Sequence, residues 1–521
     1  MHVLDAFARQ TTVRYLSVRH EQVAAFMADG YSRASGEIGV CIASRGPGAA
    51  NMASAIANAH DESVPLVAII GQIPDDVVER GAFEELDLVA MFRPITKWCV
   101  EVHDPERIAE LVQRAVRTAV SGRPGPVLVS LPLDVLRATV AARPRWRFRA
   151  GRPRPDSTQV EEAARLLADA QRPVVVVGGG VRPAPFDAGV TALARRLAAP
   201  VVTTWSRKDR FPNDDPHFVG ALGAGSLAVS DDAVRDADVV LALGCRFSEF
   251  TTKRWTLLDE SSALVHVDID TAELGRTYLP TIGITADAGL AAADLAVALR
   301  GTGPPAARCE RLARLRAQWR QQSRLEVAAE SGLVTSAQLT AGLAEVLQER
   351  SATLVVDAPS TGTWIQRHVP VTRPGSHFSS AGGAMAWGFP AALGVALARP
   401  RERVVCLSGD GSFWMVAQDL ETAVRENIPV VTVVANNFAY GNTRDRQRFA
   451  HDGRYLGVFY DNPDLAEFAR LHGAHGERVE TAAELVPALE RALDSGLPAV
   501  VDVVQDRHEG LPPGVQPLPS R

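Results

Sequence analysis

Gly409-Asp410-Gly411-Ser412 follows directly on a short apolar run, Val404-Val405-Cys406-Leu407-Ser408. One helix's length later a second run, Ile428 to Ala435, ends at Asn436-Asn437. Glycines let a backbone approach phosphate oxygens closely, and a helix that follows such a turn offers unpaired N–H groups at its positive end. Asp410 brings a hard carboxylate oxygen and Asn437 an amide oxygen, the ligand types that Mg²⁺ takes when it also holds phosphate. A Gly-Asp-Gly on its own is equally an ordinary tight turn. The Asn-Asn pair favours a diphosphate and a divalent metal, because both elements fall at the carboxyl edge of one βαβ unit.

Other residues offer weaker chemistry. His20-Glu21 opens a helix rich in small and apolar residues up to Tyr31, which places Glu21 partly out of water; a carboxylate at a helix start is also simply favoured by the helix dipole. Arg45-Gly46-Pro47-Gly48 with Asn51 forms a second glycine-rich turn after a strand. Gly178-Gly179-Gly180 ends a third strand, a pattern that serves packing as often as nucleotide binding. His20, His60, His377 and His451 are scattered, with no proton-relaying pair evident. Arg444, Arg446 and Arg448 follow the Asn-Asn pair and could grip an anion by paired hydrogen bonds, or line a solvated loop.

The elements that must position these residues alternate strand and helix throughout. Gly39 to Ala43, Val64 to Gly71 and Pro126 to Ser130 are predicted as buried parallel strands, with helices over Glu21 to Ala34 and Pro105 to Val120. Pro173 to Val177, Val239 to Gly244 and Leu264 to Ile269 are predicted strands of a second block. The chain therefore reads as three α/β domains, each a mostly parallel sheet flanked by helices, at residues 1–144, 158–300 and 334–510. Arg143, Arg145, Arg147, Arg149, Arg152 and Arg154, interleaved with proline, Trp146 and Phe148, read as a linker lying on a domain surface, not a nucleic-acid patch. Gly301 to Pro305 and a charged helix over Cys309 to Glu330 form the second linker, and the Pro-rich tail is expected to fray.

With 521 residues, 46% of them hydrophobic, the chain can bury several cores. A net charge of −6 gives no pull towards nucleic acid or membrane, and no apolar run reaches the roughly 18 residues needed to span a bilayer. Cys41, Cys99, Cys245, Cys309 and Cys406 form no C-x-x-C pair and read as buried thiols of a reducing compartment. The N-terminus lacks the features of a signal peptide, so the expected place is the cytoplasm.

In combination, the motifs resemble a known family. His20-Glu21 through Tyr31, Gly46-Pro47-Gly48, Phe83-Glu84-Glu85, Pro94-Ile95-Thr96-Lys97 and Gly122-Arg123-Pro124-Gly125-Pro126 resemble the pyrimidine-binding domain of thiamine diphosphate enzymes, in the acetolactate (acetohydroxyacid) synthase branch. Gly383-Ala384-Met385 with Gly388, Pro390-Ala391-Ala392 and Gly394, followed by the Gly-Asp-Gly and Asn-Asn unit, resembles the diphosphate-binding domain. The resemblance implies that Glu21 is the catalytic carboxyl group, hydrogen-bonded to the cofactor's pyrimidine N1′ so that its imino tautomer takes the thiazolium C2 proton. It gives the Gly383 carbonyl the 4′-amino group and makes Met385 the wedge under the bent cofactor. Asp410, Asn437 and the backbone oxygen of Ala439 would hold Mg²⁺; Gly409, Gly411, Ser412, Ser360, Thr361 and Asn442 would line the diphosphate. Because Glu21 and the Gly-Asp-Gly unit sit on different domains, the resemblance also implies a homodimer or homotetramer with the cofactor between subunits.

The resemblance has gaps. The family begins with a strand and a glycine-proline turn ahead of the segment matching Leu4-Asp5-Ala6, so either the start is misassigned or the first sheet lacks an edge strand and one active-site wall. The synthase branch selects its second keto acid with Met and Trp where Asn442 and Arg446 stand. Phe250 falls at the branch's flavin-contacting arginine, Glu84 at its glutamine, and Ser63 at the histidine of benzoylformate decarboxylase. The expected reaction is decarboxylation of a small 2-oxo acid followed by attack on an acceptor carbonyl, with Phe83, Glu84 and Arg446 near substrate and FAD absent or vestigial. Decarboxylation without ligation, or a non-catalytic cofactor-binding scaffold, are the alternatives.

Overall fold

Apolar runs bounded by glycine, proline and asparagine become parallel strands covered on both faces, which is why they read as near-continuous hydrophobic stretches. The computed structural model describes residues 2–141, 150–182, 184–259, 261–301, 303–328 and 332–517. In the first domain β1 (Gly39–Ser44), β2 (Leu66–Gln72), β3 (Trp98–Glu101) and β4 (Pro126–Pro132) form a sheet of order β1-β2-β4-β3. The second holds β5 (Pro173–Val177), β6 (Val201–Thr203), β7 (Phe218–Ala221), β8 (Val239–Leu243), β9 (Ala263–Asp268) and β10 (Ile282–Thr285), ordered β10-β9-β8-β5-β6-β7. The third holds β11 (Thr353–Val356), β12 (His377–Ser379), β13 (Val404–Gly409), β14 (Val430–Asn436), β15 (His475–Val479) and β16 (Ala499–Val504), ordered β12-β11-β13-β14-β16-β15. All pairings are parallel.

Boundaries differ from the sequence reading in instructive places. The stretch from Pro105 begins as a 3₁₀ turn, and its helix runs Ile108–Val120. The second linker helix is Ala306–Gln322, earlier than expected, and Glu330 lies outside the described residues. The arginines at 143, 145, 147 and 149 also lie outside them, but Arg152 and Arg154 lie on the central domain, paired with Asp287 and Asp294. The tail is tied down as far as Val515: Trp364 Nε1 donates to the Gly510 carbonyl at 2.9 Å and Arg367 Nη1 to that of Pro513 at 3.4 Å. Cys41, Cys245 and Cys406 are buried as expected, whereas Cys309 is exposed on the linker helix. Before Glu21 the described residues form the short helix His2–Ala8 and no strand, leaving β1 at the sheet's edge. No helix among the described residues is long and apolar enough to cross a membrane.

The first and third domains share one core. The helix Glu21–Ser35 crosses the helix Gly388–Ala398, and Phe26, Met27, Trp387, Phe389 and Ala391 are buried together there. The approach is closer than any side chain permits: a Cβ on Gly30 would lie 2.1 Å from the Ala391 carbonyl oxygen, and one on Gly394 the same distance from that of Met27. Gly30→Ala is therefore expected to destabilise the protein by about 1–3 kcal/mol through overpacking. Gly303→Ala, where a Cβ meets nothing within 4 Å, is expected to stay near wild type in the same urea titration; equal midpoints for the two variants would show the crossing to be loose.

Candidate cofactor site

β13 and β14 pair with Gly409 opposite Ala435, so Asp410 and the Asn436-Asn437 pair leave the sheet side by side. Asp410 is 1% exposed. Its Oδ1 accepts hydrogen bonds from the Gly411 N–H at 2.9 Å and the Tyr460 hydroxyl at 3.0 Å, and its Oδ2 from Asn462 Nδ2 at 2.8 Å. Burial pushes the Asp410 pKa up, to about 6, against the pull of these donors. Asn462 also donates to Asn436 Oδ1 at 2.8 Å and accepts from Trp414 Nε1 at 2.9 Å, while Asn436 Nδ2 donates to Asp502 Oδ1 at 2.8 Å. Asn436 is thus engaged inside the fold, leaving Asn437 as the member of the pair beside the Ser360–Gly441 edge: a Cβ on Gly441 would sit 2.6 Å from Ser360 Oγ and 3.3 Å from Asn437 Nδ2.

The walls around this turn are polar and close. At Gly411 a Cβ would meet Tyr440 Cε1 and the Tyr460 hydroxyl, both at 2.9 Å, so the position requires glycine. The Ser360 hydroxyl donates to Asn442 Oδ1 at 3.3 Å, and Asn442 Nδ2 to the Ala358 carbonyl at 3.2 Å. The Thr361 hydroxyl instead pairs with Ser336 at 3.3 Å, and Ser412 hydrogen-bonds the buried Asp357. Asp357 also accepts from Ser408 at 3.1 Å and the Ala358 N–H at 2.9 Å, and burial pushes its pKa up to about 6. Ala439 pairs with Phe459 in an isolated antiparallel bridge, which fixes the backbone that carries its carbonyl.

On the first domain, Glu21 begins its helix half-buried, capped by His20, and Glu21 Oε2 accepts from Asn51 Nδ2 at 2.9 Å. A Cβ on Gly48 would come within 3.1 Å of Glu21 Oε1, so the glycine turn lies directly against the carboxylate. Gly383 and Ala386 both have left-handed backbones, φ 73° and 70°, which kink the chain on either side of the half-buried Met385. For alanine that conformation is strained, a feature that gathers at ligand-contacting segments. Among the described residues no hydrogen bond or ion pair joins Glu21 to Gly383, Asp410 or Asn437.

The substrate candidates are less concentrated. Phe83 is 78% exposed; Glu84 has φ 65° and lies 3.6 Å from Arg45. Arg446 and Arg448 are exposed, but Arg444 is buried, donating to Asp445 at 2.8 Å and to the Arg507 carbonyl at 2.6 Å. It therefore anchors the chain after β16 and is unavailable to an acceptor. Tyr460, Asn462, Asp357 and Asn51 were not singled out from sequence as bonding partners of the site. Asp357 could have been, because it closes an apolar strand just as Asp410 does.

Family models described as "Thiamine pyrophosphate enzyme, N-terminal TPP binding domain", "central domain" and "C-terminal TPP binding domain" match residues 1–91, 160–295 and 357–503. The probable acetolactate synthase large subunit of Methanocaldococcus jannaschii is 33% identical over 518 residues, 96% of this chain and 86% of that one. The chain belongs to the thiamine pyrophosphate enzyme family. The acetolactate synthase large subunit of Parasynechococcus marenigrum is 34% identical over 97% of this chain and 83% of its own. The isozyme 2 large subunit of Escherichia coli is 34% identical over 97% and 91%. The three parallel sheets correspond to the family's three domains. Within them, Asn462→Ala would leave Asn436 Oδ1 without a donor and take one of several from Asp410. We expect a loss of about 1–3 kcal/mol for the unsatisfied oxygen. Thermal unfolding of the cofactor-free variant measures it, and an unchanged midpoint would show that water replaces the amide.

Proposed function

We propose that this protein is a thiamine diphosphate- and Mg²⁺-dependent carboligase of the acetolactate synthase type. It would decarboxylate a small 2-oxo acid and transfer the acyl unit to an acceptor carbonyl. The observation that carries this reading is the pair of strand ends bearing Asp410 and Asn437, joined with near full-length similarity to acetolactate synthase large subunits. Bound thiamine diphosphate supplies a thiazolium carbon that adds to the 2-oxo acid and accepts the electrons left by CO₂. Asp410, Asn437 and the Ala439 carbonyl are oxygen ligands suited to Mg²⁺. Ser360, Asn442 and the Gly411 backbone line the diphosphate end. Glu21 holds the proton at pyrimidine N1′, fixed in place by Asn51, and the Gly383 carbonyl receives the 4′-amino group.

Glu21 and the Asp410 turn stand on different domains, the first and the third, which supports a homodimer, or a pair of dimers, in which each site draws on two subunits. Free cysteines without a disulfide suit the cytoplasm. The test is pyruvate consumption with the products separated: acetolactate supports ligation, whereas acetaldehyde alone would make the protein a decarboxylase. In Glu21→Gln the cofactor should still bind while turnover falls by roughly 10²- to 10⁴-fold, as for loss of a positioned acid–base group. Retained turnover would move the key carboxylate elsewhere.

We propose also that catalysis needs no flavin. Gly178 and Gly180 of the triple glycine pack on Gly244: a Cβ on either would lie 2.1 or 2.8 Å from that backbone. A cavity of about 380 Å³ does open at the carboxyl edge of the central sheet, lined by Arg182, Arg207, Arg246 and Trp205 among others, so this reading rests on the residues after Gly244, where Phe247 packs against His266 and Tyr278. Phe250 rests on Trp205 and offers no charge to a ligand. Purified protein should carry no stoichiometric yellow chromophore; on the order of one flavin per chain would overturn this.

A further inference from the structure

Ser379 to Met385 is the stretch of the third domain that presents Gly383 and Met385, yet its fastenings come from the other two domains. From the first, Glu62 Oε1 accepts the Ala381 N–H at 2.7 Å and Asn58 Oδ1 accepts the Ser380 hydroxyl at 2.9 Å. From the second, the Ser206 hydroxyl donates to the Ser380 carbonyl at 3.2 Å, and the Ser206 carbonyl accepts from the Ser379 hydroxyl at 3.1 Å. The Ser379 carbonyl accepts from both Arg207 Nη1 at 3.2 Å and Arg33 Nη1 at 3.3 Å. Gly382 completes the set, since a Cβ there would lie 2.5 Å from Asn58 Oδ1.

The charges behind these contacts form a closed buried chain. Trp387 Nε1 donates to Asp29, Asp29 pairs with Arg33 at 2.6 Å, Arg33 with Glu62 at 3.0 Å, and Glu62 with Arg207. Two carboxylates thus meet two guanidiniums out of water. Without Arg207 two buried carboxylates share Arg33 alone, so Glu62 must turn towards it or take up a proton, in either case disturbing its bond to Ala381. Arg207, Arg33, Glu62, Ser206, Ser379 and Ala381 all line the interdomain cavity, so water can enter when the side chain is cut back. Glu62 also ends the helix that begins at Arg45, whose first turns hold Gly48 and Asn51 against Glu21. One helix therefore braces both the carboxylate and the Gly383 loop.

We propose that Arg207 of the central domain, acting through Glu62, is a positioning residue for the Gly383–Met385 loop and thereby for the cofactor. This rests on the thiamine diphosphate reading. Arg207 touches neither substrate nor cofactor; it fixes where the loop's carbonyl and thioether stand. A lysine keeps the charge but is shorter and lacks the planar guanidinium whose Nη2 meets Glu62 while Nη1 meets the Ser379 carbonyl.

The test uses the full-length protein as Arg207→Lys and, as a milder change, Ser206→Ala. In the cofactor-free state, amide exchange across residues 379–385 should quicken about tenfold or more, with the unfolding midpoint and distant peptides near wild type. With thiamine diphosphate and Mg²⁺ bound, exchange of the cofactor's C2 proton should slow by roughly 10- to 100-fold, the order expected from an ångström of misplacement. Unchanged loop and C2 exchange in the variants would overturn the proposal, as would a uniform quickening of all peptides with a fallen midpoint, which marks a domain glue. If Arg207→Lys fails to fold, Glu62→Gln, which keeps an acceptor for the Ala381 N–H but removes the charge that holds Arg207, decides by the same two rates. Wild-type protein that binds no thiamine diphosphate would sink the functional reading, while loop exchange in the cofactor-free variants would still decide the Arg207 contact.

Discussion

Two helices that meet at a glycine on each set the geometry of everything else. Where Gly30 faces Ala391 and Gly394 faces Met27, the backbones meet directly, so the first and third domains cannot slide or rotate against each other without a clash. The helix that makes this crossing starts at Glu21. The helix it crosses starts at Gly388, two residues beyond the strained Ala386 that follows Met385. A contact made for packing thus fixes, within one subunit, the starts of the two segments that carry the proposed chemistry.

Next to this apolar contact lies a polar one with the opposite character. Burial alone would raise the Glu62 pKa, but Arg207 and Arg33, with the Ala381 N–H, hold it down to about 2. A carboxylate that stays ionised inside a protein needs partners whose attraction offsets the cost of taking its charge out of water. Asp410 and Asp357 show the contrast: burial pushes both up to about 6, and their neutral amide and hydroxyl donors offset it only in part. Cations surround the carboxylate that joins domains, and among the described residues no ion pair is made by the carboxylate proposed to meet a metal. A site meant for Mg²⁺ gains from that exclusion, since a resident guanidinium would compete for the same oxygens.

Much of this was legible in the sequence. Long apolar strands such as Pro173–Val177 and Val430–Asn436 are buried on both faces and announce themselves by composition. The Gly-Asp-Gly turn and the Asn-Asn pair stand at neighbouring strand ends as read, because parallel register follows from the βαβ order. Short or half-exposed strands carry no such signal: β3 is four residues, partly exposed throughout, and β15 reads His-Gly-Glu-Arg-Val. Partners distant in sequence were invisible for a different reason. Asn462 reaches Asp410 across 52 positions and Arg207 reaches Glu62 across 145, and nothing local marks either residue for its partner.

Arg444 shows how a correct local pattern can mislead. Three arginines at alternate positions after a metal motif suggest an anion grip, but Arg444, Arg446 and Arg448 fall on one helix, where a spacing of two turns successive side chains away from each other. The first then points inward, and once inside it must be neutralised. Asp445 and the Arg507 carbonyl do so, and the same guanidinium nearly touches the place where Gly510 would carry a side chain, 3.0 Å from its Cβ position. Burial converts a candidate ligand-binding cation into the anchor of the chain's final segment. That segment, fixed again by Trp364 on the helix that Ser360 begins, packs at the carboxyl edge of the third sheet.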